Sequence, residues 1–325
     1  MARGATAEGS RLRLITVIAI VAFIGITVGL VAAEGLILSR DWVFAWAMLG
    51  LLAISLSDVK RWLRGLVFDW LPFVGILFVY DLARGAADNL GIAPHTSTGI
   101  DVDGALFGHP IPTVWLQNHL YHYPGARWYD YGVFVVYLTH FFATFVIAML
   151  LWRFAYPQFK RFRTMVLALT AAGFLTYALF PGTPPWLAAQ EGHLPFLYRI
   201  VGEMWNHTDG MYPAAGLFQN GNEYVNEVAA VPSLHAAYPV LFLLFFWRGA
   251  RPWLRAILLA YPLAMAFTLV YAGEHYVFDV LLGWIYAAAI YGLVTALEGV
   301  MARRRARAPA LQADSPLPGT VSATM

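Results

Sequence analysis

His275 and Asp279 stand four residues apart at the opening of the last apolar run, within Tyr271-Ala272-Gly273-Glu274-His275-Tyr276-Val277-Phe278-Asp279. On a helix that spacing puts both side chains on one face, a turn apart. The carboxylate can then accept a hydrogen bond from one imidazole nitrogen, which leaves the other oriented as a base or nucleophile. Forty residues earlier, Val231-Pro232-Ser233-Leu234-His235-Ala236-Ala237 opens another apolar run with a serine and a second histidine. Pro181-Gly182-Thr183-Pro184-Pro185-Trp186 follows a third run, and Arg84 closes a fourth. Each feature has a bland reading. A His–Asp pair can satisfy itself, a proline before a helix is an ordinary start signal, and a terminal arginine can snorkel. Taken together they suit phosphoryl transfer. The arginine and a positive helix end hold a phosphate dianion, one histidine attacks phosphorus, and the other protonates the leaving oxygen. Such chemistry runs near neutral pH without a metal, and no cofactor is expected. Two histidines could instead ligate a metal, but no third ligand has a convincing spacing.

The elements that position these groups are membrane helices. Of 325 residues, 60% are hydrophobic and 12% charged, against about 25% charged in soluble domains. Cysteine is absent, which excludes disulfides and thiolate chemistry. Lysine occurs only at 60 and 160 among the 21 basic residues, a bias of GC-rich bacterial genomes. The basic residues form short clusters and no single stripe, so no nucleic-acid partner is expected. Eight apolar runs, at 14–38, 42–56, 66–82, 128–152, 164–180, 233–247, 254–273 and 276–297, predict an all-α polytopic membrane protein with about eight transmembrane helices. The second run is short, so the first two could form a tilted or re-entrant pair.

Eight crossings put both termini on one side. Seventeen of the 21 basic residues then share that side, and only Arg40, Arg84, Arg127 and Arg199 lie on the other. The positive-inside rule makes the crowded side cytoplasmic, in the cell membrane, with His275, Asp279, Ser233, His235, Thr183, Trp186 and Arg84 all at the extracytoplasmic face. Residues 1–13 read as a cytoplasmic start, 14–65 as two additional helices, 66–297 as a six-helix core, and 298–325 as a basic, disordered tail. The loops 85–127 and 181–231 roof the site, with a short interfacial helix at 115–121. His140, three residues after Tyr137 in the fourth run, reads as a packing residue. The outer-loop His95, His109, His119, His122, His193 and His207 are assigned no role, and Glu274 is expected to point away from its neighbour His275.

Pro232-Ser233-Leu234-His235 followed by His275-Tyr276-Val277-Phe278-Asp279 resembles the second and third motifs of the type 2 phosphatidic acid phosphatase superfamily, over roughly residues 66–297. The resemblance implies that His275 is a nucleophile forming a phosphohistidine, Asp279 its orienting partner and His235 the general acid. Two features depart from the phosphatase pattern. Leu269 stands where an arginine precedes the nucleophile by six residues, and the first motif, a lysine followed by Arg-Pro, is missing. With Phe180-Pro181-Gly182-Thr183-Pro184-Pro185-Trp186, these absences resemble the inositolphosphorylceramide synthase (aureobasidin-resistance) branch, which moves a phospho-head group between lipids. Arg84 then becomes the candidate phosphate-binding cation, with Ser233, Thr183 and Trp186 as substrate contacts and a phospholipid or lipid phosphate as substrate. The alternatives are a lipid phosphate phosphatase and a non-catalytic lipid transporter or scaffold. Repeated halves, the mark of many transporters, are not found.

Overall fold

The computed structural model describes residues 2–34, 40–77, 79, 92–207 and 228–313. Its described elements are helices: α1 (Ala2–Glu34), α2 (Arg40–Ile54), α3 (Val59–Gly65) with a π-helical turn at Leu66–Trp70, α4 (Ser97–Phe107), α5 (Pro112–Leu120), α6 (Trp128–Phe154), α7 (Tyr156–Leu179), α8 (Pro185–Gln190), α9 (Ile200–His207), α10 (Leu234–Phe246), α11 (Pro252–Tyr271) and α12 (Val277–Ala313). Among the described residues, five segments are long and apolar enough to span a bilayer: Leu14–Ala33, Trp128–Phe154, Tyr156–Leu179, Pro252–Tyr271 and Val277–Ala306. Phe44–Ile54 and Leu234–Gly249 are shorter apolar helices. The chain is an all-α, multi-pass membrane protein, as its composition requires.

Helix α10 is the hub and packs against α12, α11, α6 and α7. Its N-terminal end meets α12 at Gly283, where a Cβ would stand 2.3 Å from the Ser233 carbonyl oxygen, so only glycine admits this approach. Hydroxyl pairs tie neighbouring helices where lipid offers no partners. Thr170 meets Tyr238 at 2.6 Å, Thr176 meets Tyr286 at 2.7 Å, and Thr139 meets Tyr261 at 2.7 Å. At the far end of the bundle Asp69, in the π-helical turn, accepts from Trp152 Nε1 (3.0 Å) and pairs with Arg163 (3.0 Å). Lys160, Arg161 and Arg163 at the start of α7 and Arg153 at the end of α6 share that end, away from the histidines.

The polar start is helical from Ala2, continuous with the first span. Two stretches differ from expectation. Helix α12 runs on to Ala313, well beyond residue 297. Alanine and arginine are strong helix formers, and Arg161 pairs with Glu298 where the extension begins (2.9 Å) and donates to Thr295 just before it (2.7 Å). Among the described residues of the 85–127 segment there are two helices where one was expected. Helix α5 covers most of the short helix anticipated at 115–121, whereas α4, with Asp101, Asp103 and two glycines, lacked an apolar period that would announce it.

Candidate active site

Helix α11 ends at Tyr271, and Gly273 adopts the left-handed conformation (φ 79°) that lets the chain turn sharply. The N–H groups of Glu274 and His275 then donate back to the Leu269 carbonyl at 3.0 and 3.2 Å. His275 therefore sits in the turn before α12, not on the helix. Its pairing with Asp279 survives for another reason. Asp279 is the third residue of α12, and its Oδ2 reaches back to accept the Tyr276 N–H at 3.0 Å and to meet His275 Nδ1 at 3.4 Å. Half of a capping box thus places the carboxylate behind the imidazole. Asp279 is wholly buried and His275 nearly so.

The next two N–H groups of α12, those of Val277 and Phe278, both donate to Asp103 on α4 at 2.9 Å. Two carboxylates from different parts of the chain therefore satisfy the donors that a helix N-terminus leaves open. Burial holds the Asp103 carboxyl above its ordinary range, against the two N–H donors that pull it down. Helix α4 can lie this close because Gly99 faces the Tyr276 ring, where a Cβ would stand 2.3 Å from a ring carbon. Gln117 on α5 adds a second brace, donating to the Tyr198 and Tyr271 carbonyls at 2.8 and 2.9 Å and accepting the Tyr198 N–H at 2.9 Å.

The Pro-Ser-Leu-His motif joins the His275–Asp279 turn directly. The Ser233 N–H donates to the Asp279 carbonyl at 3.0 Å, and its Oγ accepts the Ala236 N–H at 3.2 Å as the N-cap of α10. Ser233 is fully buried, so the structure places this expected substrate contact within the cap. One residue into α10, the His235 ring stands 5.7 Å from that of His275. His140 packs directly against His235. Its ring centroid lies 3.8 Å from that of His235.

The Pro-Gly-Thr-Pro-Pro-Trp segment is laced to the same turn. Gly182 bridges to both the His95 and Ala229 segments, and Trp186 donates its N–H to the Gly273 carbonyl at 3.0 Å. Thr183 is buried, with its hydroxyl 3.0 Å from that of Thr96. The Trp186 ring lies under the Arg199 guanidinium at 4.6 Å. Arg199 forms a bidentate pair with Glu274, Nε to Oε1 at 2.8 Å and Nη2 to Oε2 at 3.2 Å. Glu274 does turn away from His275, toward an arginine that sequence reasoning had passed over. Arg84 lies outside the described residues, as do residues 208–227 of the expected roof.

Residues 102–293 match the model of the PAP2 superfamily. The phosphoinositol dihydroceramide synthase of Bacteroides thetaiotaomicron is 32% identical over 136 residues, which is 38% of this chain and 42% of that protein's length. The chain thus aligns with less than half of this curated relative. No solved structure matches the chain.

Proposed function

The chain belongs to the PAP2 superfamily, and from that premise we propose that it is a lipid phosphotransferase that moves a phospho-head group through a covalent intermediate on His275. The observation that carries this reading is the pair of histidine rings 5.7 Å apart, with Asp279 behind one of them. A nucleophile and a proton donor on either side of a reacting phosphorus each approach their atoms to about 3 Å. One buried and one half-buried imidazole at this separation suit that arrangement.

In the first half-reaction His275 Nδ1–H donates to Asp279, and Nε2 attacks phosphorus. A P–N bond forms, the bond from phosphorus to the lipid alcohol's oxygen breaks, and His235 gives its proton to that oxygen. In the second half, neutral His235 takes the proton of an acceptor hydroxyl. The acceptor oxygen attacks phosphorus, and the P–N bond breaks. The 3.4 Å between Nδ1 and Oδ2 is long for a hydrogen bond. It shortens as the phosphorylated imidazole gains positive charge.

Whether the acceptor is water or a lipid alcohol separates transferase from phosphatase. Water is far more concentrated, so a transferase must hold its acceptor close and keep the site closed. The roof formed by α4, α5 and the 181–207 segment supports that reading, and so does the relative's name. A phosphoinositol-type donor and a dihydroceramide-type acceptor are therefore the first pair to try. Purified protein given both is expected to form the exchanged lipid faster than the free phospho-head group. Hydrolysis dominating over a broad acceptor panel makes the phosphatase reading the better one.

We place the site on the extracytoplasmic face of the cell membrane, with both termini inside. The absence of native cysteine gives a clean test. His193→Cys, exposed near the histidine end, is expected to react with an impermeant thiol reagent in intact cells. Gly249→Cys, exposed at the opposite end of α10, reacts only after permeabilisation. The reverse pattern puts the chemistry in the cytoplasm.

A further inference from the structure

We propose that Tyr137 and His140 form a clamp that aims the His235 imidazole, which makes His140 a positioning residue for proton transfer; the inference rests on the reading of His235 as proton donor. Tyr137 and His140 stand three residues apart on α6, a spacing that puts both side chains on one helix face. Both rings lie against His235. Tyr137 is stacked on it at 5.2 Å with planes 16° apart, and His140 lies at 3.8 Å with planes 31° apart. His140 is held in turn by Phe141, edge-on at 5.4 Å and 89°, and by the Tyr238 ring at 5.6 Å. Tyr238 follows His235 by three residues on α10, and its hydroxyl is tied to Thr170 of α7 at 2.6 Å. The contacts therefore run from α7 through α10 and α6 back to His235.

Filling a hole does not account for this arrangement. An ionisable side chain within a membrane helix is costly, and an aliphatic residue would fill the same volume without that cost. An acid one residue into a helix has its own side-chain torsions to settle, and they decide where its proton points. One stacked and one tilted ring packed against the imidazole limit rotation about those torsions. A misplacement of about 1 Å at a reacting group costs on the order of 10²-fold, so a device that fixes the donor has a large effect on rate. It has little effect on binding.

The test compares kcat/KM for a lipid donor with kcat/KM for the p-nitrophenyl ester of the same phospho-head group. The nitrophenolate needs little protonation, so it bypasses the acid. The ratio of the two constants does not depend on how much of a variant is folded, so a partly unfolded preparation still gives an answer. His140→Ala is expected to raise the nitrophenyl-to-lipid ratio by about tenfold or more. His140→Phe, which keeps a flat ring, brings the ratio back to within a few-fold of the parent. Adding His140→Ala to His235→Ala leaves the ratio where His235→Ala alone puts it, because the clamp then has nothing to hold. An unchanged ratio in His140→Ala overturns the proposal, as does a further shift on top of His235→Ala. A ratio for His140→Phe as high as for His140→Ala also overturns it, since the imidazole nitrogens and not the stacking would then matter. If His235→Ala itself shows no leaving-group dependence, the proton-donor reading fails and the clamp falls with it.

Discussion

His275→Ala protein is expected to lose turnover with every donor, good leaving group or poor, by on the order of 10⁶-fold, the scale seen when an enzyme's covalent nucleophile is removed. Transfer and hydrolysis should disappear together, because both start from the same intermediate. The fold should persist, since the side chain's hydrogen bond to Asp279 is long and Asp279 keeps the Tyr276 N–H. Thermal unfolding in detergent checks that the variant is intact, and head-group-labelled donor measures the residual rate. Residual activity within about tenfold of the parent, well short of the loss expected for a nucleophile, would remove His275 from the chemistry.

His235→Ala should fail differently. Loss of a general acid costs roughly 10²–10⁴-fold, and the cost falls on the step that expels a poor leaving group. With a lipid alcohol leaving, the full loss is expected. With p-nitrophenolate leaving, most of the loss in kcat/KM for the donor should vanish, because that oxygen needs no proton, while overall turnover stays slow. The return half-reaction still needs a base for the acceptor, so with the activated donor the intermediate should accumulate to nearly one equivalent. Equal losses on both donors, with no accumulation, would contradict separate roles for the two histidines.

The His–Asp spacing was legible in the sequence, but not the reason it works. A helical i to i+4 contact was expected, whereas Asp279 reaches His275 by capping its own helix while the histidine stays in the turn. The alternation of apolar runs and basic clusters correctly announced an all-helical membrane protein. Asp103 could not be read, because it meets Val277 and Phe278 across 174 and 175 residues of sequence. Nothing local distinguishes it from Asp101 two positions earlier. Arg199 was visible as one of few basic residues on its side, but its pairing with Glu274 and stacking on Trp186 are tertiary facts. His140 looked like packing because a lone histidine in an apolar run usually is. Its neighbour His235 comes from a helix 95 positions later, and only the crossing of α6 with α10 brings them together.

The most direct test of the covalent relay is the stereochemistry at phosphorus. Each in-line displacement inverts the configuration, so two successive ones restore it. A donor lipid carrying a single phosphorothioate diastereomer is converted to the exchanged lipid, and the product's configuration is assigned by phosphorus NMR. The account predicts retention, because the head group passes first to His275 and then to the acceptor. Inversion would mean that the acceptor attacks the donor directly, with no phosphohistidine between them.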